Sequence, residues 1–385
     1  MVIDNINFSI KPIIILLVSI ITLIIPNTGH TDTSTGNSAE FDKICFLASQ
    51  KPAVRILNCD LLLKSGSVSG GKLGAVYYTI GNLYFRQNQL NQAVRVYSAA
   101  IDNSPDQIWP YMARGVVLLR QEKFTDAIED FSDVIRIDEK FQVAFKNRGF
   151  AYTELGEFGL AIKDLANAVK LDPRDPDSHV YLGIAYRGIS NPEMALKSFS
   201  TAIALIPNFG LSPQLISALL QRGDLFRQSD RFELALKDFT QILVADPSNT
   251  NALYRRANAY EANDQIDEAT SDLTQLVQLD PRFANALIAL GRLHFNRDEN
   301  DLAIQYYTQA IELFPGDAEP YYLRGMAKGS ENQFVSAYSD YKQASEMEPN
   351  NKNYKESMDN LQIFKDNEDS ATLRVFKVIW RMFGD

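Results

Sequence analysis

The chain has 385 residues, 45% of them hydrophobic and 22% charged, which is the balance of a folded soluble protein. Its 48 acidic against 38 basic side chains leave a net charge of −10, and this excludes the basic footprint that sequence-independent nucleic-acid binding needs. Two cysteines and three scattered histidines exclude a structural zinc site at these spacings.

Residues 1–26 open the chain with Lys11 as the last charge before an apolar run, Ile13 to Ile25, that Pro26 breaks. That run is short for a membrane span and suits a signal-peptide core, so a cleaved signal peptide or an uncleaved N-terminal anchor is expected, with a cytosolic hydrophobic N-terminus as the third alternative. Either of the first two places the rest outside the cytoplasm. Residues 27–40 are polar and read as a disordered linker.

Residues 41–73 read as a capping hairpin, with helical segments at 41–49 and 52–64 on either side of Lys51-Pro52. Cys45 and Cys59 lie nearly symmetrically about that turn, so in an antiparallel hairpin they can face one another. A bond there closes a loop of about 15 residues, worth on the order of 3 kcal/mol. The alternative is two buried free thiols, normal in a cytosolic protein. The exported N-terminus favours the disulfide.

From residue 74 a period takes over. A small residue recurs at Gly81, Gly115, Gly149 and Gly183, then at Gly223, Ala257, Gly291 and Gly325. Each step is 34 residues except the 40 between Gly183 and Gly223, so six extra residues sit near 210–215. In phase with it run Ala93, Ala127, Ala161, Ala195, Ala235, Ala269, Ala303 and Ala337. A large residue follows each alanine by four: Tyr97, Phe131, Leu165, Phe199, Phe239, Leu273, Tyr307 and Tyr341. Prolines, which cannot continue a helix, close most copies. Glu139 stands where one such proline belongs, His179 occupies a large apolar slot, and Lys328 replaces an expected aromatic.

This pattern resembles the tetratricopeptide repeat (TPR) family, with a small residue in helix A, then Ala-x3-aromatic in helix B, then proline. The windows are 74–107, 108–141, 142–175, 176–209, 216–249, 250–283, 284–317 and 318–351, and the pattern runs through 74–349. The resemblance implies an all-α fold, a right-handed α-solenoid of helical hairpins, each burying its apolar face against its neighbours. No segment reads as a strand. The stretch from Asn58 to Tyr78 also resembles the N-terminal cap of exported bacterial TPR proteins, in which a cysteine-stapled hairpin precedes the first repeat. That resemblance supports the Cys45–Cys59 disulfide and a periplasmic setting.

After the repeats, Tyr354, Met358, Leu361 and Phe364 recur at helical spacing through 352–366, as in a solvating capping helix. Residues 367–385 are amphipathic. Leu373, Phe376, Ile379, Trp380 and Phe383 share one face, while Arg374, Lys377 and Arg381 cluster elsewhere. The segment either folds back on the repeats or docks on a membrane or partner.

No catalytic motif, phosphate loop or nucleophile elbow appears, so no catalytic residue, cofactor or metal is expected. His294 takes a tyrosine position of the repeat and reads as a packing residue. The acidic residues of the second helices are expected on outward, solvated faces. The resemblance makes the helix-A wall the site, with Tyr78, Asn82, Trp109, Asn147, Tyr181, Arg187, Arg227, Asn251, Tyr254, Asn258, Asn285, Arg292 and Tyr322 at its inward slots. Phe85, Lys146, Phe150, Arg255 and Phe295 stand at further such slots. Aromatics, amides and arginines suit an extended peptide, the amides pairing its backbone and the arginines its carboxylates. A protein or peptide partner is therefore expected, with no small-molecule substrate. The Lys/Asn/Arg clamp that grips the carboxylate of cytosolic heat-shock chaperones is absent from the matching positions. The implied function is a non-catalytic interaction scaffold in a bacterial cell-envelope process. The alternative is a membrane-associated accessory factor acting through 367–385.

Overall fold

A computed structural model describes residues 42–47, 50–206 and 212–366. The apolar run Ile13–Ile25, the linker 27–40, the segment 367–385, Pro207 and the start of the insertion lie outside the described residues. Contacts divide the chain into two compact units, 1–222 and 223–385, and each is described by itself.

Every regular element among the described residues is an α-helix. A single turn at 42–46 (α1) and α2 (Pro52–Lys64) form the cap of the first unit. Four hairpins follow: α3 (Gly70–Arg86) with α4 (Leu90–Asn103), α5 (Ile108–Arg120) with α6 (Phe124–Ile137), α7 (Gln142–Glu154) with α8 (Phe158–Leu171), and α9 (Pro176–Gly188) with α10 (Pro192–Leu205). Helix α11 (Pro213–Gln228) runs across the division and precedes α12 (Phe232–Ala245). The second unit continues with α13 (Thr250–Ala262), α14 (Ile266–Leu279), α15 (Ala284–Phe295), α16 (Asn300–Leu313), α17 (Ala318–Ser330), α18 (Phe334–Met347) and the closing α19 (Lys352–Asp366).

Local chemistry sets these boundaries. Asp175, Asn191, Asn249 and Asp317 cap their helices by accepting hydrogen bonds from backbone N–H groups in the first turn. Pro52, Pro176 and Pro192 stand in the first turn, where no backbone donor is needed. Each hairpin then turns through one residue in the left-handed region: Asn88, Glu122, Gly156, Ser190, Asp230, Asp264, Asp298 and Asn332. Every second helix is 14 residues long.

The seam between paired helices is built from the phased residues. All eight phased alanines of the second helices have no exposed surface. A Cβ on Gly81 would stand 2.4 Å from Cε1 of Tyr97, and one on Gly291 would stand 2.5 Å from Cε1 of Tyr307. The ring therefore lies directly on the glycine of its own hairpin. Tyr97 also shares a buried cluster with Ala113 and Val117 of the next hairpin, so one side chain joins both contacts. A branched residue at either glycine would overpack by about 1–3 kcal/mol. Where the small residue is Ala257, the partner slot holds the non-aromatic Leu273, and both are buried.

Within each unit, hairpins stack in sequence order, and the first helices touch across hairpins (α3 with α5, α5 with α7, α7 with α9, and α15 with α17). Those contacts make a wall of first helices. At the N-terminal end Cys45 and Cys59 form a disulfide with Cα atoms 4.8 Å apart, buried with Leu62, Val76 and Ile80. At the C-terminal end of the second unit Leu361 and Met358 of α19 cover Tyr338 and Tyr341. His179 is buried and its Nε2 donates to the carbonyl of Pro173 at 3.1 Å.

Candidate functional site

The first-helix wall of the first unit carries Tyr78 and Asn82 on α3, Trp109 on α5, Asn147 on α7, and Tyr181 and Arg187 on α9. Tyr97 is fully buried and its hydroxyl donates to Asn82 Oδ1 at 2.7 Å. Trp109 meets Phe141 edge to face, with ring centroids 5.7 Å apart. Tyr181 is buried against Phe150 at 4.9 Å, and burial together with Asp177, Asp175 and Glu154 pushes its hydroxyl well above the usual phenol value. Beside it, Lys146 Nζ sits 3.3 Å from Asp175 and 3.5 Å from Asp177. The Asn147 amide nitrogen is buried and has no hydrogen-bond partner among the described residues. Arg187, exposed at the end of α9, donates to Gln221.

In the second unit the wall carries Arg227 on α11, Asn251, Tyr254 and Asn258 on α13, Asn285 and Arg292 on α15, and Tyr322 on α17. Tyr254 packs against Phe283 with tilted rings 5.3 Å apart, and Tyr322 is held between Tyr341 and Tyr354. Asn251 and Asn285 are exposed and Asn258 is half-buried, and none makes a side-chain hydrogen bond among the described residues. Arg292 forms a two-pronged pair with Glu261 at 2.9 and 3.1 Å, and Arg255 pairs with Asp224. Arg227 has no carboxylate partner among the described residues. The amides are thus the donors the fold leaves open, while most wall cations already face a carboxylate.

His294 stacks on Tyr306 at 5.4 Å and pairs with Glu299.

The expectation of solvated acids on the second helices is overturned at regular positions. Asp130, Asp164, Asp238, Asp272 and Asp340 are each at most 5% exposed. Arg114, Arg148, Arg256 and Arg324, which directly precede the small residue of their first helix, bond Asp130, Asp164, Asp272 and Asp340 through two nitrogens. The same guanidiniums reach back to Ser98, Ser132, Thr240 and Thr308 of the preceding second helix. Each arginine so ties three helices together. Lys328, the misfit of the last repeat, adds a second cation to Asp340 at 2.8 Å. Burial raises the Asp130 carboxyl above its usual value even with Arg114 beside it. The signal was available as a co-occurrence: Arg and Asp appear together sixteen residues apart, and where one is missing so is the other, as at Ile80/Val96, Leu182/Ser198 and Leu290/Tyr306.

Comparison with known proteins fits this geometry. A family model described as TPR repeat matches residues 81–122 and 149–188, and one described as tetratricopeptide repeat matches 220–269 and 254–318. Among solved structures, the chain is similar to the C-terminal part of a TPR repeat-containing protein from Cytophaga hutchinsonii, at 18% identity and a TM-score of 0.52, over 63% of this chain and 98% of that one. A tetratricopeptide repeat protein from Parabacteroides merdae is similar at 19% identity and a TM-score of 0.49, over 66% of this chain and 98% of that one. No curated protein matches the sequence. No helix among the described residues is long and apolar enough to cross a membrane.

Proposed function

Because the chain is a tetratricopeptide-repeat protein, we propose that it is a non-catalytic scaffold that holds partner proteins or peptides along its first-helix walls. The observation that carries this reading is the set of accessible wall amides that make no side-chain hydrogen bond among the described residues, Asn251 and Asn285 exposed and Asn258 half-buried. Each can donate to and accept from the backbone of an extended segment laid along the wall.

The setting we propose is a bacterial cell envelope, with the chain exported and the repeats in the periplasm. The Cys45–Cys59 bond supports it, since structural disulfides persist in oxidising compartments. Native material should change mobility between non-reducing and reducing gels, and a free Cys45 thiol in it would undercut export.

Affinity capture with the full chain from an envelope extract, read by mass spectrometry, tests the scaffold reading. Asn251→Ala and Asn258→Ala should each weaken the captured partner, and a partner indifferent to every wall substitution would refute a wall-mediated scaffold. The basic amphipathic spacing of 373–383 favours a second reading, contact with a membrane through the terminal segment. Deleting 370–385 separates the two: loss of membrane fractionation with partner binding intact supports the second.

A further inference from the structure

The N-terminal end of the first unit holds a cavity of about 400 Å³ between α2, α3 and the start of α5. Its walls are largely apolar and aromatic, with Phe46, Tyr78 and Trp109 among them, and no acidic side chain among the described residues lines it. Two arginines do. Arg55 is 5% exposed, its Nε donating to the carbonyl of Cys45 at 3.0 Å, and Arg86 is exposed at the end of α3. Among the described residues neither faces a carboxylate. They are close enough for Arg86 to add to the effect of burial in lowering the Arg55 guanidinium from its usual value. The cavity also holds Ser104, 9% exposed, whose hydroxyl is buried without a hydrogen-bond partner among the described residues.

A chain of net charge −10 has thus kept two unopposed cations at one apolar cavity. Unpaired guanidiniums in a partly buried site are stabilised by a bound anion, and the aromatic walls call for an apolar group beside it. The net negative charge of the whole chain repels multiply charged polyanions, which favours a single carboxylate over a phosphate chain. Asn82 lies on the same wall, its Oδ1 accepting from Tyr97 and its amide meeting the Tyr78 hydroxyl, so both rings are held in place.

We propose that this cavity is a peptide-end site, in which Arg55 and Arg86 take a carboxylate and Trp109, Tyr78 and Phe46 take the aromatic or aliphatic side chain next to it. This rests on the scaffold reading and narrows it: the partner presents an apolar residue beside a carboxylate, either its chain terminus or an acidic side chain. The disulfide-closed cap then forms one wall of a binding site as well as an end to the stack.

Fluorescence anisotropy of the full chain with three labelled peptides tests it. One ends Ala-Phe with a free carboxylate, one is the same peptide amidated, and one is amidated with an internal Glu before the Phe. At least one carboxylate peptide should bind about tenfold or more tighter than the amide without it. Which of the two binds identifies the source of the carboxylate. Arg86→Gln, on an exposed side chain, should weaken that peptide at least about tenfold with an unchanged melting temperature, and Lys163→Gln on an outer helix face should not. Arg55→Gln should act in the same direction. Equal binding of all three peptides, no binding of any, or indifference to Arg86→Gln overturns the site. Partner capture dependent on Asn258 in the other unit does not involve Arg86, so the cavity can fail while the scaffold reading stands.

Discussion

Asp130 is 2% exposed and, among the described residues, its cationic partner is Arg114, whose side chain keeps 24% of its surface. Removing one member of a buried ion pair typically costs about 3–5 kcal/mol because the other charge is left uncompensated. The partial exposure of Arg114 lets water relieve part of this, so Asp130→Ala should cost about 2–3 kcal/mol by urea unfolding. The double substitution Arg114→Leu/Asp130→Ser copies the Leu182/Ser198 pair of the fourth repeat, and it should recover most of that loss. Additive losses in this cycle would mean that the two charges do not act as a unit. Two buried tyrosines at equivalent positions allow a second comparison. Tyr97→Phe leaves Asn82 Oδ1 without that donor and should cost about 1 kcal/mol, whereas the Tyr307 hydroxyl has no partner among the described residues, so Tyr307→Phe should be neutral or stabilising by thermal melt. At this scale the packing residues were legible, because glycine, alanine and ring recur in phase. The buried charges were not, since Asp and Arg are surface residues by default and only their joint recurrence betrays a shared environment.

The hairpin is the element that carries the fold, and its helices, breaks and closing prolines could all be read from periodicity. The conformation of the turn could not. A polar break predicts a loop, yet one residue of every turn takes positive φ, and only Gly156 among the eight is a glycine. Ser190 holds φ of 56° at a cost of about 1–2 kcal/mol for a residue with a Cβ. Ser190→Gly relieves that strain and gives back part of it as unfolded-chain entropy, so a net gain of up to about 1 kcal/mol is expected. A lower melting temperature for this variant would mean that the serine side chain has a role the turn geometry does not display. The cap also extends what the sequence pattern conveyed: its cysteine spacing indicated a closed hairpin, but nothing in the spacing indicated the arginine-lined cavity beside it.

At the scale of the whole chain, the regular step of 34 residues was legible and so was its single interruption, 40 residues between Gly183 and Gly223, which ends beside the division at 222/223. Because each hairpin meets only its sequence neighbours within a unit, stability is a sum of local terms, and opening should start where a neighbour is missing. Native-state hydrogen exchange should therefore show the slowest amides in α5 to α8 and the fastest in α1 and α19; uniform protection across the first unit would argue for one cooperative block instead. The wall residues were assigned from repeat position alone, which cannot reveal that Arg292 already faces Glu261. The arginine–aspartate pairs carry one more consequence. They are missing from the first, fourth and seventh repeats, so the series reads apolar, charged, charged, over and over. Both members of a pair belong to one hairpin, and the guanidinium reaches the neighbouring hairpin only through a serine or threonine hydroxyl. If whole hairpins were traded between two molecules, every carboxylate would travel with its own cation, so these charges set no register between copies and an interlocked dimer formed during refolding should keep them matched at any offset.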